Sequence, residues 1–210
     1  MSEPVALTSA QIKEASQALA RAFFDDPYVE FIQPDPEKRL KPTETFMRTA
    51  LRYGLRYGHV HVPAEGPQAS AVWLPPGDSP AGTFRSLLCG IGLMPFQLGF
   101  SGTGKLFATL GYADGLHKKE MTRPHWYLWV LGVEPEKQGQ GLGGRVLQPT
   151  LRRAEVLDDA ARARPLETAL GQQLVDVAGY DVALQVHAGA RLLARQIRVL
   201  LRVLHERDRE

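Results

Sequence analysis

The sequence predicts an α/β fold, a sheet of at least four strands with helices on its faces. Three observations predict it. Apolar residues recur at helical spacing through several long runs, short β-branched and aromatic runs lie between them, and turns rich in Gly and Pro divide the two kinds. The 210 residues are enough for one domain with a full core, residues 1–210, and no repeat or linker argues for a second.

Taken in order, residues 5–7 suit a short first strand. TSAQIKEASQALARAFF then reads as a helix capped by Thr8 or Ser9, with Ile12, Ala15, Leu19, Ala22 and Phe23 along one face. DDPYVEFIQPDPEKRLKP is punctuated by Pro27, Pro34, Pro36 and Pro42 and reads as turn, with a second helix over 43–57. HVHVPAEGPQASAVWLPPG supplies two short strands, 59–62 and 69–74, about a Gly/Pro turn. Residues 80–121 read as interrupted helices. PHWYLWVLGV, 124–133, is too apolar for an edge and reads as a central strand. A helix over 143–157 places Val146, Leu147, Leu151 and Ala154 on one face. PLETA, 165–169, reads as a strand, another is expected over 181–187, and 188–210 reads as an Arg/Leu helix. Its Arg191, Arg195, Arg198 and Arg202 stripe is a solvated face rather than a nucleic-acid surface.

Bulk properties exclude several classes. A net charge of +2 is too small to imply nucleic acid or an anionic membrane. One cysteine, Cys89, forbids an internal disulfide and fits a reducing cytoplasm. MSEPVALTSAQ lacks a basic-then-apolar leader, and LLCGIGLMPFQLGF, 87–100, is too short to span a bilayer.

The informative stretch is WVLGVEPEKQGQGLGGRVL, 129–147. Gly139, Gly141 and Gly144 spell G-x-G-x-x-G, but a dinucleotide turn closes directly after its strand and Glu134 to Gln138 intervene here. GFSGTGKL, 99–106, has G-x-x-x-x-G-K but follows it with Leu106, where a phosphate loop needs Ser or Thr. It reads as a turn between helices. The whole stretch is better read as strand, then Gln138, Gly141 and Gly143 as Q-x-x-G-x-G, then helix. Residues without bulky side chains there leave backbone N–H groups open to an anion, and the helix start adds partial positive charge. The bland alternative is a Gly-rich lead-in with no ligand.

LWVLGVEPEKQGQGLGGRVLQPTLRRAE resembles motif A of the Gcn5-related N-acetyltransferases, and RPHWYLWVLGVEPEKQGQGLG resembles the branch that contains puromycin N-acetyltransferase. The match is strong over 123–157. It implies a mixed, mostly antiparallel central sheet with a splayed strand pair, and acetyl-CoA as co-substrate. By position, Leu131, Gly132 and Val133 would pair with the pantetheine arm. The N–H groups of Gln138, Gly139, Gln140, Gly141, Leu142, Gly143 and Gly144 would hold the pyrophosphate. A neutral amine of a small molecule would attack the thioester directly.

No general base is obvious. His125 and Tyr127 are the candidates, placed by simple alternation on the face of Leu131, with core packing as the alternative reading. His117 reads as a surface loop residue. His59 and His61 read as the solvated face of a strand, with no third metal ligand, so no metal is expected. Asp25, Asp26 and Glu30 could attract a cationic amine or merely stop a helix, and 80–121 is where acceptor choice would lie. Beyond Thr168 the resemblance fades. Val175 stands where the family places a tyrosine that protonates the departing thiolate, and Gly171 where it places an asparagine, ahead of Gly179-Tyr180. An N-acetyltransferase is therefore expected, with a non-catalytic CoA-binding or regulatory domain as the alternative, and a homodimer is compatible with either.

Overall fold

The computed structural model describes residues 2–77, 82–120 and 125–161. Met1–Asp158 make one compact unit; of the unit beginning at Asp159 only three helical residues are described. The expected elements at 165–169, 181–187 and 188–210, with Val175 and the Gly179-Tyr180 pair, lie outside the described residues.

Strands β1 (Val5–Ala6), β2 (His59–Val62), β3 (Ala69–Leu74) and β4 (Tyr127–Val133) form one sheet in that order, each pair antiparallel. The register of β3 and β4 is regular from Ala69↔Val133 to Val72↔Val130 and then slips, so that Trp73 faces Leu128 and Leu74 faces Tyr127. Trp129 is the extra residue of a β-bulge. Alternation therefore breaks at Trp129. Tyr127 joins the face of Val130 and Gly132, not that of Leu131, which corrects the placement expected from the sequence.

One face of the sheet carries helices α1 (Ile12–Ala22) and α3 (Pro36–Tyr57). Val60, Val62, Val72 and Val130 meet Ala15 and Leu19 of α1 and Met47, Ala50 and Leu51 of α3 in a fully buried core. Thr8 opens the helical run as expected, its N–H and hydroxyl both donating to Gln11 Oε1 at 3.0 and 2.9 Å.

The segment expected as turn holds a further helix, α2 (Pro27–Ile32), and α3 begins seven residues earlier than its apolar period suggests. Both starts have one cause. Asp26 Oδ1 accepts from Tyr28 N at 2.9 Å and Val29 N at 3.4 Å, and Asp35 Oδ1 accepts from Glu37 N at 3.0 Å. Each is followed by a proline, whose fixed φ suits the first helical position. Asp-Pro here starts helices. The interrupted helical region is α4 (Thr83–Cys89) and α5 (Met94–Glu120), the latter kinked at Gly99, φ +66°. The first residue of GFSGTGKL, Gly99, is the non-helical break at which two helical stretches of α5 meet, and residues 100–106 continue the second of them rather than forming a phosphate loop.

Helix α6 (Leu142–Ala161) covers the other face. His61 Nε2 and the buried Thr150 Oγ1 of α6 are 3.1 Å apart, so the His59/His61 face is covered, not solvated. The two imidazoles stack with centroids 6.3 Å apart, and His59 also meets Trp126. Burial, and then the neighbouring His59, holds His61 below the usual imidazole range; burial and then Arg153 do the same to His59. Both groups are thus neutral in the folded state and charge more readily when unfolded. Their contribution is complete above the unfolded pKa of about 6.5 and is lost as pH falls from there through the depressed folded values. The urea midpoint is expected to drop between pH 7 and pH 5, and to drop less in His61→Gln. A wild-type midpoint that does not move across that window would refute the coupling. Among the described residues, no helix is long and apolar enough to cross a membrane.

Candidate functional site

The site is built from the free edge of β4, the corner that follows it, and the first turn of α6. Glu134 N donates to Gln68 O at 2.7 Å, which fixes the phase of the antiparallel ladder. Even-numbered residues of this end of β4 turn their N–H and C=O to β3, and odd-numbered ones turn theirs away. Leu131 and Val133 therefore present backbone groups along the edge that no described strand covers. Gly132 does not, which corrects its expected pairing with a ligand arm. Its role is packing: a Cβ there would lie 2.6 Å from Leu19 Cδ2 and 3.0 Å from Phe23 Cε2. A larger residue there would have to displace those two side-chain ends.

A short turn, Pro135–Lys137, separates the strand from the glycines, the same gap that argues against a dinucleotide turn. Gln138 closes it. Its N–H donates to Pro135 O at 3.3 Å and its Nε2 donates to Val133 O at 3.2 Å. Gln138 is thus a structural latch between strand and corner, and its N–H is not open to a ligand, against expectation. Gly139 and Gly141 follow at φ +74° and +73°, left-handed values that disfavour any side chain. From Gly139 to Gly144, six successive backbone N–H groups have no acceptor among the described residues, and the next, Arg145 N, donates to Gly141 O as the helix begins. Residues 135–141 are exposed, and a Cβ at Gly139 or Gly141 would meet no atom within 4 Å. The corner is open and polar.

Two ion pairs, invisible to local sequence reading, frame it. Arg21, in the last turn of α1, grips Glu134 bidentately at 2.7 and 2.6 Å. Arg145 of α6 donates to Glu65 at 2.6 and 3.1 Å and to the carbonyl of Ser2 at 2.6 Å. The hydrogen-bonded Glu134 raises the Arg21 pKa, and Glu65 does the same to Arg145.

At the other end of β4, the candidate proton acceptors come together. His117 is not in a loop: it occupies the last turn of α5 and faces β4. Its Nε2 lies 3.0 Å from His125 Nε2, and its ring lies 4.6 Å from that of Tyr127. Tyr127 packs against the cluster of Tyr53, Leu74 and Cys89. Burial, and then Asp114, pushes its phenol upward, so it stays protonated at neutral pH and is unsuited to act as a base. Asp114 was unmarked in the sequence, though it stands one helical turn before His117.

The acids expected to draw a cation are engaged elsewhere. Asp26 caps α2, and Glu30 Oε1 accepts from Arg39 at 3.2 Å with Asp25 3.9 Å from the same nitrogen. Between α2, α3 and α5 lies a small, open apolar cleft lined by Tyr28, Ile32, Phe46, Met94, Leu98 and Leu106. No described group of three or more His, Cys, Asp or Glu side chains is placed to hold a metal ion.

No protein-family model matches the chain. Among solved structures it is similar to one described as histone acetyltransferase HPA2 and related acetyltransferase from Corynebacterium glutamicum. The TM-score is 0.50 and the identity 18%, over 72% of this chain and 71% of that one. The antiparallel sheet flanked by helices, with its bulged β4 running into a glycine corner, thus has an α/β fold like that of this acetyltransferase structure.

Proposed function

We propose that this protein transfers the acetyl group of acetyl-CoA to an amine of a small molecule in the cytoplasm. The observation that carries the reading is the exposed corner, where N–H groups of Gly139 to Gly144 stand without acceptors beside a free strand edge. That is the donor set a pyrophosphate requires, strengthened by the start of α6. Leu131 and Val133 offer backbone groups for strand-like pairing with the pantetheine arm. When bound, acetyl-CoA supplies an activated acyl carbon. The protein supplies position and a strand amide, that of Val133, for the oxygen on which negative charge builds.

A small acceptor is favoured over a basic tail because Asp25, Asp26 and Glu30 are engaged by a helix cap and by Arg39. The similarity of 123–143 to the puromycin N-acetyltransferase branch points the same way.

A ligand that binds only the folded state, at 100 times its dissociation constant, stabilises it by about 2.7 kcal/mol. Acetyl-CoA is therefore expected to raise the melting temperature clearly, while NAD and ATP leave it unchanged; the reverse pattern would end this reading. Release of free thiol when amines are offered separates an enzyme from a domain that only binds CoA.

A further inference from the structure

The junction of α4 and α5 carries an apolar surface that the site at β4 does not use. Phe84, Leu87 and Leu88 share one face of α4, at positions i, i+3 and i+4. Leu87 Cδ2 lies 3.7 Å from where a Cβ of Gly92 would stand, in the turn Ile91–Leu93. That turn leads to Leu93, Phe96 and, across the break at Gly99, Phe100. Phe84, Phe96 and Phe100 are 73, 88 and 93% exposed, and the three leucines about half. Together the six expose roughly 700 Å², where the largest apolar patch of an ordinary monomer is about 300–600 Å². The inward side of the same segment is anchored, with Ile91 and Met94 buried among Ile32 and Leu106. A fixed core therefore holds the outward rings in water.

The charge around this face has one sign. From Ser79 to Ala113 the sequence has no acid, although the whole chain has 23. Arg85 of α4 stands over the Tyr57 ring, 4.6 Å from its centre, and Arg56 of α3 stands 5.5 Å from the same centre. Arg52 reaches the end of α4, its Nη1 3.4 Å from where a Cβ of Gly90 would stand. Arg52 and Arg56 are exposed, one turn apart, and neither is in an ion pair among the described residues, whereas Arg48 pairs with Glu44.

We propose that the α4–α5 junction docks on an anionic lipid surface, its phenylalanines entering the boundary between headgroups and acyl chains and Arg52, Arg56 and Arg85 meeting lipid phosphates. Apolar side chains bordered by cations and free of acids are what such a surface binds. A second copy fits less well, because a twofold contact sets the same face against itself and so brings these cations to an equally acid-free partner. The small net charge of the whole chain does not oppose the contact. Attraction to a charged surface fades within a Debye length, so the local patch decides it.

The test uses the full chain and vesicles of two compositions, phosphatidylcholine alone and phosphatidylcholine with roughly a third phosphatidylglycerol. The protein is expected to sediment with the anionic vesicles, to bind the neutral ones about 100-fold less, and to be released by about 0.5 M NaCl. Arg52→Gln combined with Arg56→Gln should weaken binding about 25-fold, at about fivefold for each cation near the surface. Phe96→Ser combined with Phe100→Ser should weaken it about 100-fold, at about tenfold for each ring kept out of the lipid. All four side chains are exposed, so both variants should melt close to wild type. Equal binding to the two compositions, or variants that bind as wild type does, overturns the proposal. Sedimentation velocity of the free protein judges the competing occupant. A dimer that the serine variant dissolves, with no binding to anionic vesicles, gives the face to a second copy and overturns the proposal; a monomer that ignores those vesicles overturns it too. No arm involves acetyl-CoA, so the outcome stands apart from the acetyltransferase reading.

Discussion

Gly141→Leu is expected to weaken acetyl-CoA binding by about 100-fold or more, equivalent to about 2.7 kcal/mol, while leaving the protein folded. The two halves of that expectation have separate causes. Gly141 sits at φ +73°, where an L side chain costs about 1–2 kcal/mol. Nothing lies within 4 Å of its missing Cβ, so the new side chain meets no wall and adds no clash to the strain. A melting temperature lower by several degrees is the consequence, at roughly 2–4 °C per kcal/mol for a domain of this size. Binding suffers more, because the leucine occupies the space in front of the unpartnered N–H groups and the anion loses both room and donors. Calorimetry with acetyl-CoA and a thermal melt of the same variant separate the two effects. Unchanged affinity in a strained but folded variant would show that the corner does not hold the phosphates.

The features that were legible in the sequence are those whose signal is local. Strands β2 and β3 fall at 59–62 and 69–74, on either side of their Gly/Pro turn as the sequence places them, and the glycine corner follows its strand as the Q-x-x-G-x-G spacing requires. What was not legible depends on residues far apart. Asp-Pro at 26–27 and 35–36 spells a turn as readily as a cap, and the outcome was decided by the apolar faces of Val29 and Ile32, which find a core across the chain. The bulge at Trp129 leaves no trace in a run of aromatic and branched residues, yet it moves Tyr127 to the opposite face. His59 and His61 look solvated until α6, nearly ninety positions away, covers them with Thr150. Likewise, nothing in LHKKEMTRPHW says that His117 and His125 meet, since eight residues can span a loop or, as here, fold a helix end back onto a strand.

Arg39→Met is expected to cost about 2–4 kcal/mol of stability, the largest loss predicted for any single side chain here. Arg39 is 5% exposed and serves four acceptors: Nε donates to Gln33 O at 3.0 Å, Nη1 to Phe24 O at 3.0 Å and Glu30 Oε1 at 3.2 Å, and Nη2 to Pro34 O at 3.0 Å. Its guanidinium also lies 5.2 Å from the centre of the Phe24 ring. Three of these acceptors are backbone carbonyls at or just past the C-terminal ends of α1 and α2, where chain direction reverses and the helices leave carbonyls unpaired. One planar cation thus closes two helix ends at once. Methionine keeps much of the stem's packing but strands the carbonyls, each at a cost of about 1–3 kcal/mol where water cannot reach, while the half-exposed Glu30 can rehydrate. Charge alone does not explain the site. Lysine has one nitrogen and cannot address four acceptors spread around a guanidinium plane. Arg39→Lys should therefore recover only a minor part of the loss. Urea denaturation of the two variants decides the matter: a lysine variant as stable as wild type would mean that the charge, not the fork, holds α1, α2 and α3 together.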